Sequence, residues 1–207
     1  MIPQVLDLRL TSKCNMRCSF CFGTQCAENW DNQALRRFFA FMQDNGLKFI
    51  VLTGGEPTAS PNFIPIVETL KSLGIHIALS TNGTFWSNEN LRNFVLASCD
   101  WIALPVESPL TGEHNYLRRC SFNHHELVYS ILPQIKEIAP NIKVKVGTVA
   151  TKCNYKSIPF ILDSLPIQPT IWKIFQLSPS EVNMDFYKMN RITDEEFREL
   201  INTVQHH

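Results

Sequence analysis

Short runs of apolar and often β-branched residues alternate along this chain with longer segments in which apolar residues recur every three or four positions. Strands bury short apolar runs, whereas amphipathic helices repeat with a period of about 3.6 residues. The short runs predict six strands, at residues 5–10, 48–53, 75–80, 101–106, 142–150 and 171–177. The longer segments predict helices at residues 33–45, 62–73, 88–97, 124–139 and 155–165, and a last helix from residue 193.

Two of these helices carry terminal signals. The helix at residues 33–45 is followed by Gly46, and glycine commonly ends helices. Thr193 and Glu196 form a capping box, in which each side chain accepts a hydrogen bond from the backbone N–H of the other residue. These signals predict the two boundaries independently of the apolar pattern.

The number and spacing of the elements predict the fold class. Six strand–helix units in 207 residues have the spacing of parallel βαβ units. A complete eight-stranded barrel usually needs about 250 residues. We therefore expect an α/β fold, a partial (β/α)6 TIM-type barrel with a parallel sheet, in a single core domain over residues 1–207 that ends in a short extension at 178–207. A flat, doubly wound sheet is the alternative, and in either fold ligands bind at the carboxyl ends of the strands.

Composition and charge exclude several classes of protein. Hydrophobic residues make up 44% of the chain, which excludes intrinsic disorder. The 19 lysine and arginine residues equal the 19 aspartate and glutamate residues, so no global charge attracts nucleic acid or an anionic membrane. No apolar run reaches the roughly 18 residues of a membrane helix, and the amino-terminal residues lack the features of a signal peptide. A cytoplasmic protein is predicted, and the terminal His206 and His207 are given no function.

Cysteines are unevenly placed, and three of the seven fall within eight residues. Cys14, Cys18 and Cys21 directly follow the first predicted strand, so their thiols can converge in one loop. Iron–sulfur cubanes normally take four thiolates, and three would leave one iron open for chemistry. The spacing therefore favours an iron–sulfur cluster. A zinc site with Cys26 as fourth ligand, a disulfide and a set of buried, unliganded thiols remain alternatives.

Glycine-rich segments lie at the ends of the second and third strands. Residues 54–57, Gly-Gly-Glu-Pro, are typical of a turn. Gly55, which lacks a Cβ, would also let a ligand approach the backbone, and Glu56 could accept a hydrogen bond from an ammonium group. Thr53 could offer its hydroxyl to the same pocket. Residues 80–83, Ser-Thr-Asn-Gly, are typical of an Asx turn.

The cysteine spacing C-x3-C-x2-C, with the aromatic Phe20 before the last cysteine, resembles the signature of the radical S-adenosylmethionine (SAM) superfamily. The resemblance implies a [4Fe–4S] cluster with Cys14, Cys18 and Cys21 as its ligands and as catalytic residues, and it implies Phe20 as a cofactor contact. In this family the open iron binds the amino and carboxylate groups of SAM. Reductive cleavage then yields methionine and a 5′-deoxyadenosyl radical, which abstracts a substrate hydrogen. The resemblance also implies an electron donor such as flavodoxin or ferredoxin.

The strand ends extend this resemblance. Residues 54–57 are similar to the family's GGEP motif, whose backbone binds the SAM amino group. A serine and an asparagine at the end of the third strand reach the SAM carboxylate and ribose in the family. The SAM contacts implied here are Thr53, Gly54, Gly55, Glu56, Ser80 and Asn82. Gly55→Val is therefore expected to block SAM binding while sparing the cluster.

Charged residues follow the fourth strand as well. Glu107 stands where relatives often carry aspartate, and the basic pair Arg118 and Arg119 comes next. In the family an arginine in this region commonly contacts the SAM carboxylate. We therefore expect Glu107 and Arg119 to contact the cofactor and Arg118 to be an ordinary solvated charge.

The last third of the chain carries a narrower resemblance, to viperin-like enzymes. It rests on Trp-Lys-Ile-Phe-Gln at residues 172–176 and on residues 186–200, which contain Asp-Glu-Glu-Phe. Viperin-like enzymes convert a nucleoside triphosphate to its 3′-deoxy-3′,4′-didehydro form by removal of the ribose 4′ hydrogen and loss of the 3′ hydroxyl. Lys145 and Lys173, on the fifth and sixth strands, could hold the phosphates of such a small-molecule substrate as point charges.

Three departures weaken the nucleotide assignment. Ile171 stands where viperin-like enzymes carry arginine, Gly147 stands where they carry asparagine, and relatives continue beyond the position of His207. One alternative is a radical SAM enzyme that modifies a peptide or protein, acts on a nucleobase or activates a glycyl-radical enzyme. A second alternative is a non-catalytic, metal-stabilised binding module.

Overall fold

The computed structural model describes residues 3–23 and 31–205, so Cys26, His206 and His207 lie outside the described residues. The strands are β1 (Val5–Arg9), β2 (Phe49–Thr53), β3 (His76–Ser80), β4 (Trp101–Pro105), β5 (Lys143–Ala150) and β6 (Ile171–Gln176). The α-helices are α1 (Asn32–Asp44), α2 (Phe63–Ser72), α3 (Glu89–Ser98), α4 (Thr111–Arg118), α5 (His124–Ile138), α6 (Ile161–Ser164), α7 (Met184–Asn190) and α8 (Asp194–Gln205).

The strand order decides between the two predicted architectures. All six predicted strands are confirmed, each within one residue at either end. They form one sheet in the order β1-β2-β3-β4-β5-β6, and the pairs β1–β2, β2–β3, β3–β4 and β5–β6 are parallel. A doubly wound sheet reverses its strand order at a switch point. That alternative is therefore wrong, and the predicted (β/α)6 fold of the TIM type is confirmed.

The longer helices agree with the apolar pattern. The predictions for α1, α2, α3, α5 and α8 are confirmed, whereas the segment predicted at 155–165 contains only a 3-10 turn at Ile158–Phe160 and the short helix α6. The helices α4 and α7 were not predicted. They are eight and seven residues long, so each makes only about two turns and is too short to show an apolar period. No helix among the described residues is long and apolar enough to cross a membrane.

Both terminal helix signals are confirmed. Gly46 has a φ of +103°, a left-handed conformation that glycine adopts without steric cost. The backbone N–H of Thr193 donates to Glu196 Oε2 at 2.6 Å, and the N–H of Glu196 donates to Thr193 Oγ1 at 3.1 Å. The capping box therefore begins α8 as expected.

The described chain is organised in two compact units, each assembled from several segments. The first contains residues 3–15, 31–103 and 138–143, and the second contains residues 16–23, 104–137 and 144–205. In the first unit, α1, α2, β2 and β3 contribute most of the large, fully buried side chains, namely Phe39, Ile50, Leu52, Phe63, Ile66, Leu70, Ile77 and Leu79. The extension expected at residues 178–207 stays a prediction.

In the second unit the strand β5 has one buried face and one accessible face. Its fully buried residues are Val144, Val146, Thr148 and Ala150. The alternate residues Lys145, Gly147 and Val149 are half-buried. Because alternate residues of a strand point to opposite sides, the accessible face of β5 is available to a ligand.

Candidate functional site

In the first unit, the glycine turn after β2 packs directly on the backbone that precedes Cys14. The N–H of Gly55 donates to Thr11 O at 2.7 Å, and the N–H of Glu56 donates to Lys13 O at 2.8 Å. A Cβ added to Gly55 would lie 2.0 Å from Lys13 O, and one added to Gly54 would lie 2.4 Å from Thr11 O. Both glycines are therefore required by the close approach of two backbone segments.

This packing changes the expected effect of Gly55→Val. From the sequence, the missing Cβ of Gly55 is expected to leave space for SAM, and the substitution is expected to spare the cluster. A valine Cβ would instead displace the Lys13 carbonyl, which is one residue before Cys14. The structure therefore favours a loss of cluster binding in Gly55→Val, because the substitution would move the backbone that carries a cluster ligand.

Glu56 lies in the first unit as a buried carboxylate with hydrogen bonds on both oxygens. Its Oε1 accepts from Thr58 Oγ1 at 2.6 Å, from Thr58 N at 3.2 Å and from Thr81 Oγ1 at 2.8 Å, and its Oε2 accepts from Asn82 N at 2.7 Å. Burial raises the pKa of Glu56, and these hydrogen bonds offset part of the rise. Glu56 thus ties the end of β2 to the end of β3, and its contact with the SAM ammonium stays a prediction.

Asn82 connects the end of β3 to the cysteine loop. Its Nδ2 donates to Asn15 Oδ1 at 2.8 Å and lies 3.8 Å from Cys14 Sγ. Its Oδ1 accepts from the N–H and the hydroxyl of Thr84 at 2.9 and 2.7 Å, which is the expected Asx turn. Ser80, at the end of β3, is half-buried. The contacts of Ser80 and Asn82 with SAM stay predictions.

In the second unit, Glu107 and Arg118 form a buried ion pair. Arg118 Nη2 lies 2.5 Å from Glu107 Oε1, with the two side chains only 12% and 1% exposed. The other carboxylate oxygen accepts from Val149 N at 2.8 Å. Arg118 Nη1 points to Cys18 Sγ at 3.6 Å, and the guanidinium carbon lies 5.3 Å from the centre of the Phe20 ring. The expectation that Arg118 is an ordinary solvated charge is therefore wrong.

The neighbouring arginine has a different environment. Arg119 is exposed and ends α4 in the left-handed conformation, with a φ of +51°. Burial alone would lower the pKa of Arg118, but the charges of Glu107 and Cys18 raise it above its ordinary value. Arg118 is thus the cation held inside the second unit, and the contact of Arg119 with the SAM carboxylate stays a prediction.

A buried pair of histidines, His114 and His124, supports the backbone of Glu107. No sequence motif marks these two residues. His114 Nδ1 accepts the N–H of Glu107 at 3.1 Å, so the ring proton is assigned to His114 Nε2, which lies 2.8 Å from His124 Nδ1. Burial, followed by the charge of Arg118, lowers the pKa of His114 to about 2. The ring is therefore neutral and acts as a fixed hydrogen-bonding group.

A cavity of about 350 Å³ lies in the second unit on the accessible side of β5 and β6. Two of its walls are the rings of Phe20 and Phe22, which flank Cys21 in the sequence. Its remaining lining residues are Val149, Phe175, Gln176, Leu177 and Ser178. A mostly apolar cavity with aromatic walls suits a flat organic ring.

The two candidate phosphate-binding lysines share one face of the sheet. In the parallel register of β5 and β6, Lys145 pairs with Ile171 and Gly147 pairs with Lys173. Since paired residues share a face, as do residues two apart along a strand, Lys145, Lys173 and Phe175 lie on the same side. Lys173 Nζ is 4.9 Å from the centre of the Phe175 ring. Their binding of phosphate stays a prediction.

The three motif cysteines share one chemical feature. None of the described cysteines is in a disulfide. Each motif sulfur has an N–H donor directed at it: Asn82 Nδ2 at Cys14, Arg118 Nη1 at Cys18 and Gly23 N at Cys21, the last at 3.3 Å. The thiolate is the form of cysteine that binds iron, and N–H donors at these positions can hydrogen-bond to a bound thiolate sulfur.

The other described cysteines differ in this respect. Burial raises the pKa of Cys99 to about 12 and that of Cys120 to about 11, and it also raises the pKa of Cys153. The Cys153 thiol donates to Asn190 Oδ1 at 3.1 Å. Burial therefore disfavours the thiolate form of these cysteines, which is the form that binds metal.

The three motif cysteines are chemically suited to an iron–sulfur cubane, which takes thiolate ligands. Within residues 3–23 and 31–205, no three Cys, His, Asp or Glu side chains are gathered into a site for a single metal ion. A [4Fe–4S] cluster spreads its thiolate ligands over separate iron atoms rather than around one ion. The zinc alternative depends on Cys26, which the structure does not describe.

Comparison with known proteins places these residues in a family. Residues 8–152 match the family model described as the radical SAM superfamily. The chain is 27% identical, over 86% of its length, to the tungsten-containing aldehyde ferredoxin oxidoreductase cofactor-modifying protein of Pyrococcus furiosus, of which it covers 53%. It is 29% identical, over 98% of its length, to the S-adenosylmethionine-dependent nucleotide dehydratase of Lacinutrix mariniflava, of which it covers 44%. The chain thus spans about half the length of these curated relatives.

A solved structure agrees with the family match at the level of the fold. Streptococcus suis SuiB, bound to S-adenosylmethionine, superposes with a TM-score of 0.79 at 18% identity and covers 99% of this chain, which covers 47% of SuiB. The matched residues 8–152 include the cysteine motif and the ends of the first five strands. Because the family model matches well over half of the sequence, this chain belongs to the radical SAM superfamily.

Proposed function

We propose that this chain is the cluster- and SAM-binding core of a radical SAM enzyme that acts on a nucleotide. The observation that carries the cluster assignment is the set of N–H donors directed at the three motif sulfurs. Cys14, Cys18 and Cys21 would hold the [4Fe–4S] cluster. When bound, the cluster supplies the electron that cleaves SAM to methionine and a 5′-deoxyadenosyl radical.

The chain's own residues hold the cysteine ligands and offer an apolar surface to a substrate ring. The Asn82 side chain binds the side chain of Asn15, the residue next to Cys14, and Arg118 directs an N–H donor at the sulfur of Cys18. The mostly apolar cavity beside Phe20 and Phe175 suits a purine or pyrimidine ring.

A nucleotide is the substrate class that the accessible face favours. Lys145 and Lys173 lie on the same face as Phe175 of the cavity wall, so a base in the cavity can have its phosphates near two cations. A relative that matches 98% of the chain is named as a nucleotide dehydratase. In the corresponding reaction the ribose loses its 4′ hydrogen and its 3′ hydroxyl. Because Ile171 stands in place of an arginine, a bidentate phosphate contact is missing and weaker affinity is expected.

The decisive experiment is an anaerobic turnover assay on the reconstituted chain. With dithionite as reductant, the protein is expected to convert SAM to 5′-deoxyadenosine slowly on its own and faster with a nucleoside triphosphate. The assay measures 5′-deoxyadenosine and the dehydrated nucleotide by chromatography and mass spectrometry. A fully loaded, reduced cluster that binds no SAM would overturn the enzyme assignment.

Two variants test whether SAM cleavage depends on the motif cysteines, independently of the substrate. Cys18→Ala is expected to abolish the full cluster and all SAM cleavage, whereas Cys153→Ser keeps a hydroxyl donor for Asn190 and is expected to retain both. If a peptide or a protein partner stimulates turnover and no nucleotide does, the nucleotide assignment fails and SAM cleavage still stands.

A further inference from the structure

Arg118 contacts a cluster ligand directly although the cysteine motif does not include it. Its Nη1 lies 3.6 Å from Cys18 Sγ, while its Nη2 is bound to Glu107 in the same unit. We propose that Arg118 is a positioning residue that raises the reduction potential of the cluster through Cys18, and that Glu107 both fixes Arg118 and limits this effect. The inference rests on the proposed cluster at Cys14, Cys18 and Cys21.

The guanidinium is held in place from three sides. Glu107 Oε1 binds Nη2 at 2.5 Å, the Phe20 ring lies 5.3 Å from the guanidinium carbon, and the third neighbour is Cys18. Glu107 itself is fixed, because Val149 N donates to its second oxygen at 2.8 Å and Asn154 Nδ2 donates to its backbone carbonyl at 2.6 Å. Arg118 therefore cannot move away from the sulfur without breaking the buried ion pair.

The physical effect follows from the change in charge on reduction. One electron passes from a low-potential donor to the oxidised cluster, no covalent bond forms or breaks, and the cluster with its thiolates becomes more negative by one unit. A cation and a hydrogen-bond donor at Cys18 stabilise the reduced form more than the oxidised form. Because the Arg118 side chain is only 12% exposed, solvent screens this interaction weakly.

A purely structural role for the ion pair makes a different prediction. If Arg118 and Glu107 only held α4 against the end of β4, removal of either charge would loosen the site and change the cluster in the same direction. If they act by charge, Arg118→Met lowers the reduction potential and Glu107→Gln raises it. The sign of the two shifts therefore separates the explanations.

The experiment is a reductive titration of the full chain, reconstituted anaerobically without SAM and followed by electron paramagnetic resonance. At a fixed solution potential, Arg118→Met is expected to lower the ratio of reduced to oxidised cluster about tenfold. For one electron this corresponds to a decrease of about 59 mV in the reduction potential. Glu107→Gln is expected to raise the ratio, and Arg118→Lys, which keeps the charge, is expected to stay near the wild type. Arg198→Met, which removes an exposed charge on α8, is the matched control and should leave the ratio unchanged.

The outcomes distinguish this inference from the proposed function. If wild-type protein takes up no cluster, the proposed function itself fails. If the loaded variants have the wild-type potential, or if both single variants shift in the same direction, the role of Arg118 is overturned. Should Arg118→Met not take up iron because Glu107 is left unpaired, the double variant Glu107→Gln with Arg118→Met removes both charges. It is expected to titrate below the wild type, since Arg118 is the charge in contact with Cys18, and an unchanged potential would again overturn the inference.

Discussion

The Oε2 atom of Glu56 accepts a hydrogen bond from the backbone N–H of Asn82 at 2.7 Å. This contact joins the glycine turn after β2 to the end of β3. Asn82 in turn donates to Asn15, the residue next to Cys14. One buried carboxylate thus connects the glycine turn to the loop that carries the first motif cysteine.

Glu56→Ala is expected to lower the free energy of unfolding by about 3 kcal/mol, because it leaves several buried donors without an acceptor. Urea denaturation followed by circular dichroism measures this change. Glu68→Ala, on the exposed side of α2, is the matched control and is expected to change stability by no more than about 0.5 kcal/mol. Equal urea midpoints for the two variants would contradict a structural role for Glu56.

Gly55→Ala is expected to destabilise the protein by about 3 kcal/mol and to reduce its iron content, because the added methyl group overlaps the Lys13 carbonyl. Gly112→Ala is the matched control. A Cβ at Gly112 has no heavy atom within 4 Å, and alanine favours the helix, so a gain of about 0.5 kcal/mol is expected. Urea denaturation and iron analysis after reconstitution measure both effects. Normal iron content in Gly55→Ala would show that the backbone at Lys13 tolerates the shift.

Acid is expected to destabilise the protein through His114. Its pKa is about 2 in the folded state, because burial and then the charge of Arg118 disfavour the protonated ring. An unfolded histidine has a pKa of about 6.5, so below this pH the unfolded chain binds a proton that the folded chain does not. His114 stabilises the fold fully above that pH. As the pH falls further, the free energy of unfolding drops by about 1.4 kcal/mol per pH unit from this residue alone.

The variant His114→Asn tests this assignment. Its Oδ1 can replace His114 Nδ1 as the acceptor for the N–H of Glu107, but it does not titrate. Urea denaturation at several pH values between about 7.5 and 5 is expected to show a slope smaller by about one proton than in the wild type. If both proteins lose stability with the same slope, other groups cause the acid sensitivity.

Lys145→Ala and Lys173→Ala are each expected to remove the stimulation of 5′-deoxyadenosine release by a nucleoside triphosphate, because each removes a cation from the shared face of β5 and β6. The slow release without nucleotide should remain. Lys188→Ala, on the exposed surface of α7, is the control and should keep the full stimulation. Rates measured with and without nucleotide test this directly, and stimulation that survives in both lysine variants would rule out the proposed phosphate site.

The strands could be predicted from the sequence because each is a short apolar run bounded by turn residues. Each of these runs forms a strand in the observed sheet. The cysteine spacing and the GGEP sequence are also local, so the family follows from them. The helices α4 and α7 escaped prediction because they are only eight and seven residues long, which is about two turns and too short to show an apolar period. The buried environment of Glu107 could not be predicted from the sequence. Its partners, His114 and Arg118, lie on α4, a helix that the apolar pattern does not predict.

The sequence by itself determined the strand–helix alternation, the family and the residues that follow each strand, since all of these depend on neighbours in the chain. Only the tertiary structure decided which of two adjacent arginines is buried. Successive helical residues point about 100° apart, and α4 ends at Arg118 with Arg119 in the left-handed conformation, so one guanidinium reaches Glu107 and Cys18 and the next reaches solvent. The tertiary structure also explains why Gly55 must lack a side chain. The carbonyl that excludes a Cβ there belongs to Lys13, a residue far away in sequence.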